Sequence, residues 1–325
     1  MTGRRRIRPL LLTAAIAVLA ALFATRVFRN AVVRRARRET PPAPRRIDPA
    51  GISGERALAE VRDFVALGPR VSGTPGAERA ARYLETRLRD LGVEPLLDEF
   101  RDETPAGPVL FRNVLGIVPG TSGRTLIVGS HYDTKAGISD RFAGANDSGS
   151  STGLLLELAR SLAQRGTRGP AVILAFFDGE ECLRAYGAQD GLHGSRRLAK
   201  TLVQNRRADR VTAVLVLDMV GDRDLTVTIP RNSTPALISL AFESARAEGA
   251  RAKFSLADGP ILDDHVPFRA AGMPAVDLID FQYGPVPGDN STWHTDADTM
   301  DKLSARSLEI VGRVVIRMLN ALSSP

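Results

Sequence analysis

Hydrophobic and polar positions along the chain fall into two recurring patterns. Over residues 53–67 and 75–91 apolar side chains return every three or four positions, the spacing of a helix with one buried stripe, and Gly92 closes the second. Residues 109–118 and 125–129 read as strands. The runs 171–177 and 211–219 are continuously apolar and have the length of strands buried on both faces. Helical spacing returns at 151–162, 195–203, 235–248 and 304–321, and 275–279 reads as one more strand. Strands rich in Val, Ile and Leu that alternate with helices imply an α/β fold. The expected architecture is a three-layer α/β/α sandwich around a mixed, mostly parallel sheet, and no internal repeat is visible.

The N-terminus departs from this pattern. Arg4, Arg5, Arg6 and Arg8 precede an apolar run over residues 9–24, and more arginines follow as far as Arg46. The run is about 16 residues, short of the about 20 that a spanning helix usually takes. Basic flanks around such a run suit a membrane anchor or a cleaved signal peptide, and the arginine-rich stretch behind it favours the uncleaved anchor. Both readings place the rest of the chain outside the cytoplasm. The expected organisation is a basic tail over 1–38, a Pro-rich spacer over 39–50 and one large domain over 51–325.

Charge and cysteine usage narrow the picture. The net charge is +7, but residues 1–46 hold twelve Arg and one acid, Glu39, so the remainder carries 7 − 11 = −4. The basicity belongs to the tail, which removes the main support for nucleic-acid binding by the large domain. Cys182 is the only cysteine, which excludes an intrachain disulfide framework. It directly follows two acids and is a poor candidate nucleophile.

The polar residues that stand out share a location. The predicted strands run into His131-Tyr132-Asp133, into Asp178-Gly179-Glu180-Glu181 and into Asp218. In open α/β sheets the carboxyl ends of the strands are where ligands bind. Zinc takes imidazole nitrogen and carboxylate oxygen, so this donor set suits a zinc site. Asp133 could orient the His131 ring. The pair Glu180-Glu181 allows one carboxylate to bind metal while the other moves protons. Asp147, in the turn-rich Gly-Ala-Asn-Asp-Ser-Gly, is either a helix cap or a further ligand. His294 follows a Pro/Gly-rich segment, beside Trp293, which is either core packing or a pocket wall. His265 is a weaker ligand candidate, and His193 reads as a loop residue.

Together these segments resemble the zinc aminopeptidases with a co-catalytic metal pair and their relatives, the glutaminyl cyclases. The resemblance spans roughly residues 50–322. It rests on His-Tyr-Asp-Thr, Gly-Ala-Asn-Asp-Ser-Gly, Phe-Phe-Asp-Gly-Glu-Glu, Leu-Asp-Met-Val-Gly, Asp-His-Val-Pro-Phe and Trp-His-Thr-Asp, in that order. In the aminopeptidases it implies two zinc ions on His131, Asp147, Glu181, Asp218 and His294, with Glu180 as general base. In the cyclases it implies one zinc on Asp147, Glu181 and His294, with Glu180, Asp218 and Asp263 handling protons. Three features lean toward the cyclases: the insertion from Cys182 to His193, Asp263, and Lys135 after His-Tyr-Asp-Thr. Trp293 matches a cyclase pocket residue, Tyr186 stands in for a tryptophan, and Asp289 falls near an expected phenylalanine. The cysteine pair of animal cyclases is absent. The resemblance thus implies an enzyme acting on peptide or protein N-termini, converting N-terminal Gln to pyroglutamate with loss of ammonia, or alternatively removing N-terminal residues.

Overall fold

Two N-caps start the fold. Ser53 and Thr74 accept hydrogen bonds from the N–H groups of Arg56 and Ala77, opening helices α1 (Gly54–Val65) and α2 (Pro75–Asp90). Pro75 occupies the first turn of α2, where its missing N–H costs nothing. The computed structural model describes residues 46–286 and 288–324. The basic tail, with the apolar run read as an anchor, and most of the spacer lie outside them. The remaining elements are β1 (Glu94–Thr104), β2 (Gly107–Val118), β3 (Thr125–His131), α3 (Ser151–Ala163), β4 (Ala171–Phe177), α4 (His193–Gln204), β5 (Val211–Asp218), β6 (Val227–Ile229), α5 (Pro235–Ala247), β7 (Phe254–Leu256), α6 (His265–Ala270), β8 (Ala275–Ile279) and α7 (Ala305–Leu322).

The strands form one sheet in the order β1-β2-β4-β3-β5-β8-β6-β7. Because alternate residues of a strand face opposite ways, each central strand feeds two cores. Leu126, Val128, Leu174 and Phe176 pack with α1, α2, α3, α5 and α7 through residues such as Val61, Leu84, Leu154, Ala241 and Val315. Ile127, Ala175 and Phe177 pack on the other side with Leu198 of α4 and Phe268 of α6. Helices therefore cover both faces of the sheet.

The sheet is more mixed than the apolar runs suggest. β4, β3, β5 and β8 run parallel, as do β6 and β7, whereas β1–β2, β2–β4 and β6–β8 are antiparallel. Strands β1, β6 and β7 carry no clear signal in the sequence. Six of the eleven residues of β1 are charged, as befits an exposed edge. The helix expected from 195 begins two residues earlier, so His193 is a buried first-turn residue and not a loop residue. The last residues of the spacer are fastened to the domain: Ile47 N donates to Asn320 Oδ1 at 2.9 Å, and Asn320 Nδ2 donates back to Ile47 O at 2.7 Å. Among the described residues no helix is long and apolar enough to cross a membrane.

The helix pair α1–α3 sets the position of the turn that precedes α3. Their closest approach is at Gly153, where a Cβ atom would lie 2.4 Å from Val61 Cγ2 and 2.6 Å from the Val61 nitrogen. The backbone nitrogen cannot yield as a side-chain tip would. Gly153→Ala is expected to destabilise the fold by about 1–3 kcal/mol, read as a lowered midpoint in thermal unfolding by circular dichroism. An unchanged midpoint would show that the two helices are not in tight contact there.

Candidate active site

The sheet brings its polar strand ends together. His131 and Asp218 are the last residues of β3 and β5, and Glu180 and Glu181 follow β4. Asp147 lies in the tight turn Ala145–Ser150, whose Asp147–Ser148 peptide is cis. The N-cap position of α3 belongs to Ser150, so Asp147 is not a helix cap and its carboxylate turns into the site. His294 arrives from the loop after β8 with a left-handed backbone, φ 53°.

Two groups of donor atoms result, sharing Asp147. In one, Asp147, Glu181 and His294 each place a donor atom within 4.8 Å of the others; His131, Asp147 and Asp218 do the same in the second. His294 Nε2 is 2.8 Å from Glu181 Oε1 and 3.2 Å from Asp147 Oδ2. His131 Nε2 is 3.2 Å from both Asp147 Oδ1 and Asp218 Oδ1. His265 joins neither group: it is fully buried, its Nδ1 3.7 Å from Asp277 Oδ2.

Main-chain anchors hold these ligands in place. Asp133 lies 3.5 Å from His131 Nδ1, longer than a good hydrogen bond. Its carboxylate instead accepts the N–H groups of Glu180 and Glu181, one on each oxygen, at 3.2 Å. On the opposite side of this turn, Leu192 N donates to Glu180 O and His193 N to Gly179 O. Asp298 does for the Asp147 turn what Asp133 does for the Glu180 turn, accepting Asn146 N at 2.7 Å, Asp147 N at 3.1 Å and the Tyr283 hydroxyl at 2.8 Å. Arg70 is wholly buried. Its guanidinium donates to the carbonyls of Tyr132 and Ala143 at 2.7 and 2.6 Å and more loosely to Gly144, tying the segments behind His131 and Asp147 together. Arg70, Asp298 and Tyr283 escape sequence reasoning, because a lone Arg, Asp or Tyr whose partners are largely main-chain groups leaves no pattern.

A cavity of about 270 Å³ opens onto the donor atoms, lined by Glu180, Tyr186, Asp263, Ile261, Phe281 and Trp293 among others. Trp293 stacks on the His294 ring with centroids 3.9 Å apart and meets Phe281 edge-on, so it is a pocket wall. Tyr186 donates its hydroxyl between Glu180, at 3.2 Å, and Glu181, at 3.3 Å. Its loop is held by Asp190, whose carboxylate accepts the N–H groups of Leu183, Arg184 and Ala185. Lys135 does not line the cavity. Its ammonium donates to Cys182 O at 2.6 Å and lies 3.4 Å from Glu181 Oε2, behind the ligand. Beneath the floor, buried oxygens of Asp263, Asp264 and Asp277 have no hydrogen-bond partner.

Crowded buried acids set the proton affinities. Burial, reinforced by Glu181, Asp263 and Asp264, pushes the Glu180 carboxyl well above its ordinary range, against the opposing pull of His131. Burial likewise lifts Asp218 to about 7. For His294 burial opposes charge, but Asp147 and Glu181 outweigh it and raise the imidazole to about 9. An imidazole nitrogen and two carboxylate oxygens converging on one point fit zinc, and so does Asp147 Oδ2, which is buried and accepts no hydrogen bond.

The sequence and fold have counterparts among known proteins. The family model for peptidase family M28 matches residues 113–319, and the chain belongs to that family of zinc-dependent enzymes. Within it, the chain falls in the glutaminyl-peptide cyclotransferase branch. It is 32% identical over 274 residues to the glutaminyl-peptide cyclotransferase-like protein of Bos taurus, covering 76% of this chain and 70% of that one. With the glutaminyl-peptide cyclotransferase of Drosophila melanogaster it is 27% identical over 299 residues, covering 83% and 82%. The solved structure of an Acidobacteriales bacterium glutaminyl cyclase superposes with a TM-score of 0.79 at 33% identity, covering 88% of this chain and 98% of that one. A Zn-dependent exopeptidase from Parabacteroides distasonis gives 0.72 at 25% identity, covering 84% and 99%.

Two outcomes test the site. Zinc binds neutral imidazole, and His294 holds its proton up to about pH 9. Zinc affinity, measured by chelator competition, should therefore rise by about tenfold per pH unit from 6 toward 9 and then level off; a flat profile would contradict the assignment of His294. Arg70→Lys keeps a charge but loses the planar fork. It should cost about 2–4 kcal/mol in urea unfolding and speed zinc loss to a chelator. Wild-type stability and zinc retention would remove Arg70 from its bracing role.

Proposed function

We propose that the chain is a zinc-dependent glutaminyl-peptide cyclotransferase, converting the N-terminal Gln of peptides or proteins to pyroglutamate with release of ammonia. The observation that carries this reading is a buried Glu180, its proton affinity raised, lining a small cavity beside three zinc-type donors in a chain of the cyclotransferase branch.

Asp147, Glu181 and His294 would hold the zinc, which when bound would supply Lewis-acid polarisation of the Gln side-chain carbonyl. The chain's own residues do the rest. Trp293, Phe281 and Ile261 wall a cavity that holds the Gln side chain folded back on its own α-amine, so the attack is intramolecular and gains from positioning. The α-nitrogen forms a bond to the side-chain carbonyl carbon, and the bond from that carbon to the amide nitrogen breaks. Glu180 takes a proton from the α-nitrogen and passes it to the departing nitrogen, which leaves as ammonia. A carboxyl whose proton affinity is raised by burial suits this shuttle, because it must both accept and surrender a proton near neutral pH. Tyr186 fixes the Glu180 carboxylate from one side. Asp218 and Asp263 line the same cavity and would hold Glu180 and the leaving nitrogen through hydrogen bonds.

The reading extends to location. The apolar run over 9–24 with its arginine flanks is a membrane anchor, with the catalytic domain outside the cytoplasm.

Two measurements check the reaction. Gln-Ala and Leu-Ala dipeptides incubated with the zinc-loaded enzyme should give loss of ammonia from the first and no free amino acid from either. Release of Leu would favour the aminopeptidase reaction. Glu180→Gln should lower turnover by about 10²–10⁴-fold while zinc content stays at the wild-type level; an active variant would place the proton shuttle elsewhere.

A further inference from the structure

The end of the sheet opposite the cavity carries a charge pattern that the reaction does not use. Three loops feed the amino ends of the parallel strands β3, β4 and β5: residues 119–124, 164–170 and 205–210. The first two are laced together, and the first is tied to β5 beside the third. Thr121 and Ser122 donate to Gly169 O, Ala171 N donates to Arg124 O, and Arg124 Nε donates to Thr212 Oγ1 at 3.0 Å. These loops hold six arginines and one acid, Asp209. Arg165 is turned inward onto the carbonyls of Pro119 and Pro170. The other five, Arg124, Arg168, Arg206, Arg207 and Arg210, are exposed, and none forms an ion pair among the described residues. Val203, 49% exposed, adds an apolar side chain beside them.

This pole is not a by-product of overall basicity, because the chain beyond residue 46 carries −4. The described chain also begins away from the cavity. Helix α7 starts at the site end, where Ser304 N donates to Gly221 O, and Ile47 is bound to Asn320, in the last turn of this 18-residue helix. That places residue 47 about 24 Å along the helix from the site end. Ahead of it stand 46 residues with twelve arginines and the apolar run.

We propose that this arginine pole is a docking face for an anionic lipid surface, on which the domain sits with its catalytic mouth pointing away. Guanidinium groups pair with lipid phosphates in a planar, two-point contact. Each basic residue near an anionic surface adds to binding, and the effect is screened by salt. A short apolar side chain among them suits the headgroup boundary. The proposal does not depend on which reaction the site catalyses.

The test uses the full chain in lipid nanodiscs of phosphatidylcholine, with or without a minority of phosphatidylglycerol, followed by hydrogen–deuterium exchange and mass spectrometry. Segments 121–124, 166–169 and 205–210 should exchange about tenfold more slowly in the anionic discs. High salt should reverse the slowing. R168Q/R207Q/R210Q should lose it while turning over a soluble Gln peptide at the wild-type rate, and R168Q alone should lose part of it. Equal exchange in both lipids, protection that survives the triple substitution, or failure of the full chain to associate with either disc would overturn the proposal. So would equal protection by heparin without lipid, which would mark a general polyanion site.

Discussion

Concentrated negative charge in a dry place is the constraint around which the site is built. Asp147, Glu180, Glu181, Asp218 and Asp263 all line one small cavity, and each is buried. Unpaired buried charge is costly, so such a group must be protonated, hydrogen-bonded or neutralised by a cation. The protein uses all three answers. Main-chain N–H groups are spent on Asp133 and Asp298, which carry no ligand duty of their own. Burial pushes the Glu180 carboxyl well above its ordinary range, which favours a proton there. The remaining demand falls on Asp147 and Glu181, whose donor atoms converge with His294 where a divalent cation could be held.

The supporting shell follows from the same demand. Arg70 brings a full positive charge beneath the site, yet its guanidinium donates only to carbonyls and lies over the Phe64 ring; its attraction to Asp133, Asp298 and Asp147 acts through space. Its guanidinium therefore stiffens two ligand segments without competing with the metal for their carboxylates. Burial lowers the proton affinity of Arg70 to about 10, which still leaves it charged at neutral pH. Lys135 differs: from behind Glu181 it faces that carboxylate directly, 3.4 Å away, while donating to the Cys182 carbonyl.

Much of this was legible in the sequence because the fold writes its central strands as uninterrupted apolar runs. β4 and β8 lie at their expected limits, and the polar residues that end β3 and β5 and follow β4 converge as strand-end logic requires. The illegible parts fall into two kinds. Strand β1 is charged and half-exposed, and its place comes from eleven paired positions with β2, not from its own periodicity. Asp277 sits inside the apolar strand β8, where one buried acid among aliphatic neighbours carries no motif. Ligands that act through side chains leave a signature of residue types; braces that act through main-chain N–H and carbonyl groups leave almost none.

The loop that carries Tyr186 has a further consequence. It leaves after Glu181 and returns at Leu192, whose N–H closes on the Glu180 carbonyl at 2.9 Å, and Asp190 organises its interior from within. A segment with touching ends and internal cohesion is a cassette. It can be lengthened, shortened or exchanged while Asp133 keeps its grip on the Glu180-Glu181 amides. Substrate choice can thus drift through one interchangeable flap while the metal chemistry underneath stays fixed, and a designer seeking new pocket walls on this scaffold would begin there.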